Sequence, residues 1–302
     1  MEARPQNLPF EPTTLKRLSE KLIRSHHQNN YGGAVKRLNA LRAHLQGLSF
    51  GETPGFQLNG LKREELVATN SMLLHELYFS SLGSAAAMAP AMALALSANF
   101  GSVERWRAEF VAMGKALGGG SGWVLLSFQP REGTLVNQWA ADHTHALAGG
   151  VPLLALDMYE HAYHMDFGAD AGAYVDAFME NIDWARVYGR YQDAVTHASE
   201  GLGVTADAAA GARLIDVRRA GVFDQSDVTV AGADWRDPAQ VDAWSRQLAK
   251  DEPVVVYCVY GHEVGRSVAL RLQAAGIQAR FLIGGIDGWR AEGRPLAGKA
   301  GG

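Results

Sequence analysis

A single cysteine, Cys258, stands among 302 residues. No disulfide can close within the chain, and nothing argues for an oxidising compartment, so the expected setting is the cytoplasm. Long apolar runs are missing too: none reaches the roughly 18 residues needed to cross a bilayer. The opening MEARPQNLPFEPTTLKRLSEK has no apolar core, so no secretory signal is expected there. An excess of one charge is also lacking. Lys and Arg number 28 against 32 Asp and Glu, a net charge of −4, which offers no bulk attraction to nucleic acid. What the chain does have is 47% hydrophobic and 20% charged residues, a balance that builds packed cores and excludes a disordered or fibrous chain.

The chemistry-bearing residues are unevenly spread. Eight of the ten histidines precede residue 165, whereas the cysteine lies in the last third, which suggests two chemistries on two domains. Leu15, Leu18, Leu22 and Ile23, then Val35, Leu38, Leu41 and Leu45, follow helical spacing. The Gly32–Gly33 pair is expected to kink or break that helix, and Pro54-Gly55 to end this arm. A second apolar helix is expected from Leu66 to Leu82, and the small-residue stretch 85–100 to be helical or irregular. GGGSGWVLLSF, TLVNQWAAD after a turn at Gly133, and VPLLALDMY read as three strands of a short antiparallel sheet. Helix returns over 170–194. The small, polar stretch 196–211 reads as a linker. Beyond it RLIDV, PVVVYC and ARFLIGG alternate with helical stretches, the pattern of a small parallel α/β domain. The expected fold class is therefore α+β. A helical hairpin (1–84) and an α/β part with a three-stranded antiparallel sheet (85–195) make one domain. The linker (196–211) and a small α/β domain with a parallel sheet (212–302) follow.

Potential metal ligands sit in three segments of the first domain. His26 lies in SHHQNNYGGAVKRLN, His75 in LLHELYF, and Asp157 and His161 in LDMYEHAYHMDF. Asp157 and His161 are four residues apart, which shares a face on a helix and also on a strand. Three imidazoles and a carboxylate suit iron, manganese or zinc. A lone histidine on an apolar helix more often packs than ligates, and His44 and His197 take that reading. For His26 and His75, spacing alone leaves both possibilities open.

These segments resemble the iron/manganese superoxide dismutases over residues 5–192. DMYEHAYH resembles that family's signature, and the likeness extends to the histidine-rich first helix, the GSGW strand and the closing IDWARVYGRY. The resemblance implies one iron or manganese ion per chain, held by His26, His75, Asp157 and His161, with superoxide as substrate. It places His143, in ADHTH, where the family hydrogen-bonds the solvent at the metal. Trp123 falls on the wall of the site, and Glu160 is expected to pair with the ligand His161 across a dimer interface, in a homodimer or tetramer. There are departures. The family's gateway histidine and tyrosine are Asn30 and Ala34 here, with Tyr31 close by but out of register. The signature tryptophan is Tyr159, and the tyrosine that meets the gateway histidine is His164. Asn30 is accordingly expected to face His164 between subunits. Lys36, Arg37 or Arg186 would steer an anionic substrate, or else be plain surface charge.

Cys258 ends a buried strand before a tight loop and a helix start, where backbone N–H groups stabilise a thiolate. A lone cysteine is more usually a small buried hydrophobe, but the strand-to-helix turn favours the functional reading. LIDVR with Asp216, the Cys258 loop and LIGGIDGWRAEGRPL resemble the rhodanese sulfurtransferases over residues 206–299. The resemblance implies that Cys258 carries a persulfide between a sulfur donor and an acceptor. That family's loop usually has an arginine five residues past the cysteine, where this chain has Glu263. Related phosphatases have it six past, where Val264 stands. The nearest is Arg266, eight residues on. A glutamate in an anion cradle repels thiosulfate or phosphate unless it points out, and a phosphatase role is disfavoured. Two readings compete with a dismutase bearing a rhodanese-like domain. One is a sulfurtransferase whose dismutase-like part serves dimerisation. The other is a non-enzymatic metal- or oxyanion-binding stress protein.

Overall fold

The computed structural model describes residues 2–83 and 87–299. Ser19 accepts a hydrogen bond from the Leu22 N–H and so starts α1 (Glu20–Ser25). The chain then passes through one π-helical turn (His26–Tyr31) into α2 (Gly32–Gln46) without breaking. The irregularity expected at Gly32–Gly33 thus lies just before it. Both glycines are helical, and the extra backbone residue is absorbed at the histidines, as π-turns near functional sites often do. Pro54 opens rather than closes an arm: α3 (Gly55–Ser81) begins there, eleven residues ahead of the expected Leu66, because its first turns are almost wholly exposed and carry no buried apolar face. Positions 85 and 86 of the small-residue stretch lie outside the described residues; the rest of it holds α4 (Pro90–Phe100). Ser102 caps α5 (Val103–Ala116).

The three apolar runs form β1 (Trp123–Gln129), β2 (Thr134–Ala140) and β3 (Val151–Asp157), paired antiparallel in the order β2-β1-β3. The central strand β1 is buried along nearly all its length, which explains its unbroken apolar run. Gly122, just ahead of it, has a φ of +136°, and a Cβ there would run into the Ala140 carbonyl oxygen; only glycine fits. The register sets Trp123 directly beside Asp157. A turn of 3₁₀ helix (Glu160–Ala162) and α6 (His164–Phe167) follow. Then come α7 (Ala171–Met179) and α8 (Trp184–Ala198), capped by Asp170 and Asp183.

The segment read as a linker, 196–211, is more ordered than its composition suggests. It holds the last turn of α8 and then β4 (Gly203–Val204), and buries Ala206 and Ala209. Small residues here let backbones approach rather than hang free. β5 (Arg213–Asp216), α9 (Ala220–Asp224), β6 (Val228–Val230), β7 (Asp234–Trp235), α10 (Val241–Trp244), β8 (Val254–Tyr257), α11 (Glu263–Ala274), β9 (Ala279–Leu282), α12 (Gly285–Ala291) and β10 (Leu296–Gly298) complete the chain. The parallel sheet runs β4-β9-β8-β5-β7, while β6 and β10 form a small antiparallel pair. Apolar side chains pack on both faces of this sheet, and Leu270 of α11 joins the core of the first part. No helix among the described residues is long and apolar enough to cross a membrane.

Candidate metal centre and cysteine loop

Four elements bring the expected ligands to one point. His26 opens the π-turn, His75 lies on the inner face of α3, Asp157 ends β3, and His161 sits in the 3₁₀ turn after it. Asp157 and His161 therefore share neither a helix nor a strand; the chain turns between them. One donor atom from each residue lies within 4.8 Å of all the others. Asp157 Oδ2 is 3.1 Å from His26 Nε2, 3.2 Å from His161 Nε2 and 3.5 Å from His75 Nε2. His75 and His161 bring Nε2 atoms within 3.4 Å of each other. His75 Nδ1 donates to the Ser71 carbonyl oxygen at 2.6 Å. In the neutral ring that leaves Nε2 with a bare lone pair aimed inward, the form a metal needs. Three imidazoles crowding one buried carboxylate oxygen make a donor set that fits a cation of iron or manganese type.

The electrostatics agree. Burial pushes the His75 pKa down to about 3, with nearby His26 adding to the effect, and burial likewise lowers that of His26. Both rings stay neutral at pH 7. For Asp157 burial alone would favour the acid, but His161 and His26 outweigh it and hold the carboxyl below the usual range. Tyr159 N–H donates to Asp157 Oδ1 at 2.9 Å, and the Tyr174 hydroxyl donates to the Asp157 carbonyl oxygen at 2.8 Å.

His143 stands beside this cluster, its ring centre 6.2 Å from that of His75. The Trp123 indole N–H donates to His143 Nδ1 at 2.9 Å. Burial lowers the His143 pKa, so the ring is neutral and carries its proton on Nε2. Tyr159 stacks between His143 and His161, with ring centres 4.8 and 5.4 Å away. Tyr31 is buried against His27, His75 and Phe79; its hydroxyl donates to Glu76 at 2.9 Å and accepts from the Gln6 N–H at 2.7 Å. Glu160 and His164 are exposed and Asn30 half buried. Within one chain Asn30 and His164 make no hydrogen bond to each other among the described residues. Arg37 pairs with Glu64 and Arg186 with Asp183. His44 and His197 are exposed rather than packed. Ser71, Tyr174 and Glu76 were not singled out from sequence. Only Ser71 left a trace, four residues ahead of a helical histidine.

At the other centre Cys258 follows β8 and is 6% exposed. The carbonyl oxygens of Cys258 and Val259 accept from Ile286 and Asp287 N–H at 3.0 and 3.1 Å. α12 thus holds the outer side of the loop. Glu263 does not point into the loop: it pairs with Arg219. Asp216 binds Arg218, and Tyr257 donates to it at 3.0 Å, as a buried brace under the sheet.

Comparison with known proteins matches residues 88–190 to the iron/manganese superoxide dismutases, C-terminal domain, and residues 204–292 to the rhodanese-like domain. A superoxide dismutase [Fe] of Cupriavidus metallidurans is 66% identical over 188 residues, 62% of this chain and 95% of that protein. A superoxide dismutase [Mn] 1 of Halobacterium salinarum is 35% identical over 193 residues, 62% of this chain and 94% of that one. A superoxide dismutase [Fe] of Aquifex aeolicus is 31% identical over 194 residues, 62% and 90%. The chain belongs to the iron/manganese superoxide dismutases, and its family fold is continued by a rhodanese-like domain.

Proposed function

We propose that the chain disproportionates superoxide to dioxygen and hydrogen peroxide at one iron or manganese ion held by His26, His75, Asp157 and His161. The convergence of these four donors within 4.8 Å carries the reading. An ion of this kind, held by these residues, would supply the one-electron couple that both halves of the disproportionation need. The chain does the rest. Ser71 fixes the His75 ring, Asp157 stays anionic, and Trp123 holds the His143 proton on Nε2, where it donates toward the centre and tunes it. The name of the 66% identical relative favours iron. Glu160, exposed in the single chain, suits pairing with a second subunit's His161, and Asn30 suits facing His164 across the same homodimer interface.

The C-terminal part, on this reading, handles persulfide sulfur at Cys258. A free, unoxidised Cys258 is needed, and a reducing cytoplasm keeps it so. Elemental analysis of the purified full chain beside a dismutase assay tests the proposal. About one iron or manganese per chain with turnover is expected. Metal-free protein with thiosulfate:cyanide activity would favour the sulfurtransferase reading, and metal without turnover the stress-protein one. Cys258→Ser is expected to leave dismutase turnover intact and abolish sulfane-sulfur loading.

A further inference from the structure

We propose that the seam between the two parts of the chain is a binding site for a small neutral ligand, a single ring bearing a carbonyl oxygen that Arg271 takes up. The seam holds a cavity of about 190 Å³. α4 of the first part lines one side; the 3₁₀ turn Pro238–Gln240 and α11 of the second part line another. Ala91, Leu94, Ala95 and Ala98 fall at i, i+3, i+4 and i+7, so one face of α4 is turned to the cavity. Three of these four are alanines, whose short side chains leave the space. The surroundings are tight. Gly133, in the turn between β1 and β2, has a φ of +66°, and a Cβ there would come within 2.9 Å of Leu270 Cβ and 3.2 Å of Arg271 Cγ. The cavity therefore belongs to a packed seam and is not a gap between loosely placed domains.

The lining sets the chemistry of the occupant. The Arg271 side chain is only 8% exposed. Its Nη2 donates to Asp242 Oδ2 at 2.6 Å, but its Nε is buried and has no hydrogen-bond partner among the described residues. A buried donor left unpaired is costly and uncommon, and an acceptor on a ligand satisfies it. Charge decides which acceptor. Arg271 is matched by Asp242, and Arg219, also on the lining, is matched by the buried Glu263. Asp237 is spent on its own turn, accepting from the Ala239 N–H at 2.9 Å. With both cations paired, a carboxylate would bring an unmatched charge beside Glu263, whereas a carbonyl brings none.

Size completes the assignment. An apolar protein cavity of about 150 Å³ takes up benzene, so the room here suits one ring with a short polar substituent. Leu94 is 40% exposed, which gives the ligand a way in. Such a ligand touches α4 and α11 at once and so favours the closed seam. The positions of α11 on the lining, Val264, Val268 and Arg271 among them, lie apart from Gly265, where a Cβ would be 3.5 Å from Cys258 Sγ. The cavity and the thiol are thus separated by the first turn of the same helix.

The test uses the full-length protein and three probes of one ring: acetophenone, ethylbenzene, which lacks the acceptor, and benzoate, which is charged. Ligand-observed NMR titration at millimolar concentrations is expected to show acetophenone binding about tenfold tighter than either of the others, the size of one hydrogen bond to a charged donor. Arg271→Met keeps the stem and removes the Nε N–H. It is expected to weaken acetophenone by about tenfold and leave it level with ethylbenzene. Ala98→Leu fills the space from α4 with Arg271 untouched, is expected to abolish binding of both, and decides the matter if the methionine variant does not fold. Alkylation of Cys258 by iodoacetate should not change when acetophenone saturates the protein; protection would place the probe at the cysteine loop and overturn the assignment. So would absence of acetophenone binding, equal binding of the three probes, an affinity unmoved by Arg271→Met, or binding retained in Ala98→Leu. None of these readouts depends on a metal or on sulfur transfer.

Discussion

The two centres of this chain are assembled in opposite ways. The candidate metal centre draws on four elements between residues 26 and 161, each offering one donor atom. The cysteine site is local, one loop and the first turns of α11, between residues 258 and 266. In the distributed centre every expected donor is in place, because removing one leaves buried groups facing each other without compensation. In the local one Glu263 stands where the resembled family usually has an arginine and pairs with Arg219, while Arg266 donates to the Gly261 carbonyl oxygen. A convergent buried site constrains residue identity tightly. A half-exposed loop constrains mainly the field it creates.

The sharpest way to break that contrast is His75→Ala. Its ring is buried, oriented by Ser71 and one of four donors. Metal content by elemental analysis is expected to drop to about a tenth or less of wild type, with dismutase turnover lost. The iodoacetate rate at Cys258 should not move. Retained metal would mean that the cluster is not the binding site. A smaller effect is expected from Glu263→Ala. It strips the half-buried Arg219 of its partner at the seam between α11 and the segment around α9. Chemical denaturation should show a loss of about 2 kcal/mol, less than for a fully buried pair because Arg219 is partly solvated. A loss near zero would make the pair mere surface charge, and the outward turn of Glu263 would then lack a cause.

Much of this was readable from residues alone, and the exceptions share a physical origin. Amphipathic spacing gave α2, and unbroken apolar runs gave β1, β3 and β8, since burial leaves its mark on residue type. The π-turn left none: it is a backbone register change, and nothing in HHQNNY distinguishes it from an α-turn, so the kink was assigned to the neighbouring glycines. The early start of α3 was hidden by its exposed, polar first turns. In 196–211 alanine and glycine were ambiguous, because small residues serve both loose linkers and close backbone packing. The four candidate ligands stood out once the signature around Asp157 and His161 was recognised. Ser71 and Tyr174 did not, since they act through or upon backbone carbonyls, which every residue carries. The pairing of Glu263 with Arg219 joins positions 44 residues apart, and only the fold reveals it.

The smallest expected effect lies one layer out from the metal cluster, at Trp123→Phe. The ring position is kept but the indole N–H is removed, the group that donates to His143 Nδ1 at 2.9 Å. Without it the neutral imidazole is free to move its proton to Nδ1, and a fraction of molecules then presents an acceptor where the centre needs a donor. None of the four donors is touched, so metal content should stay at the wild-type level while turnover falls by about three- to tenfold. His143→Gln is expected to shift the activity ratio between iron- and manganese-loaded protein. Trp123→Phe should add little on that background, because its route runs through the ring already removed. A double-mutant cycle measures this directly. Additive losses would show that Trp123 acts on the centre by packing, as the neighbour of Asp157 in the sheet, and not by setting the His143 tautomer.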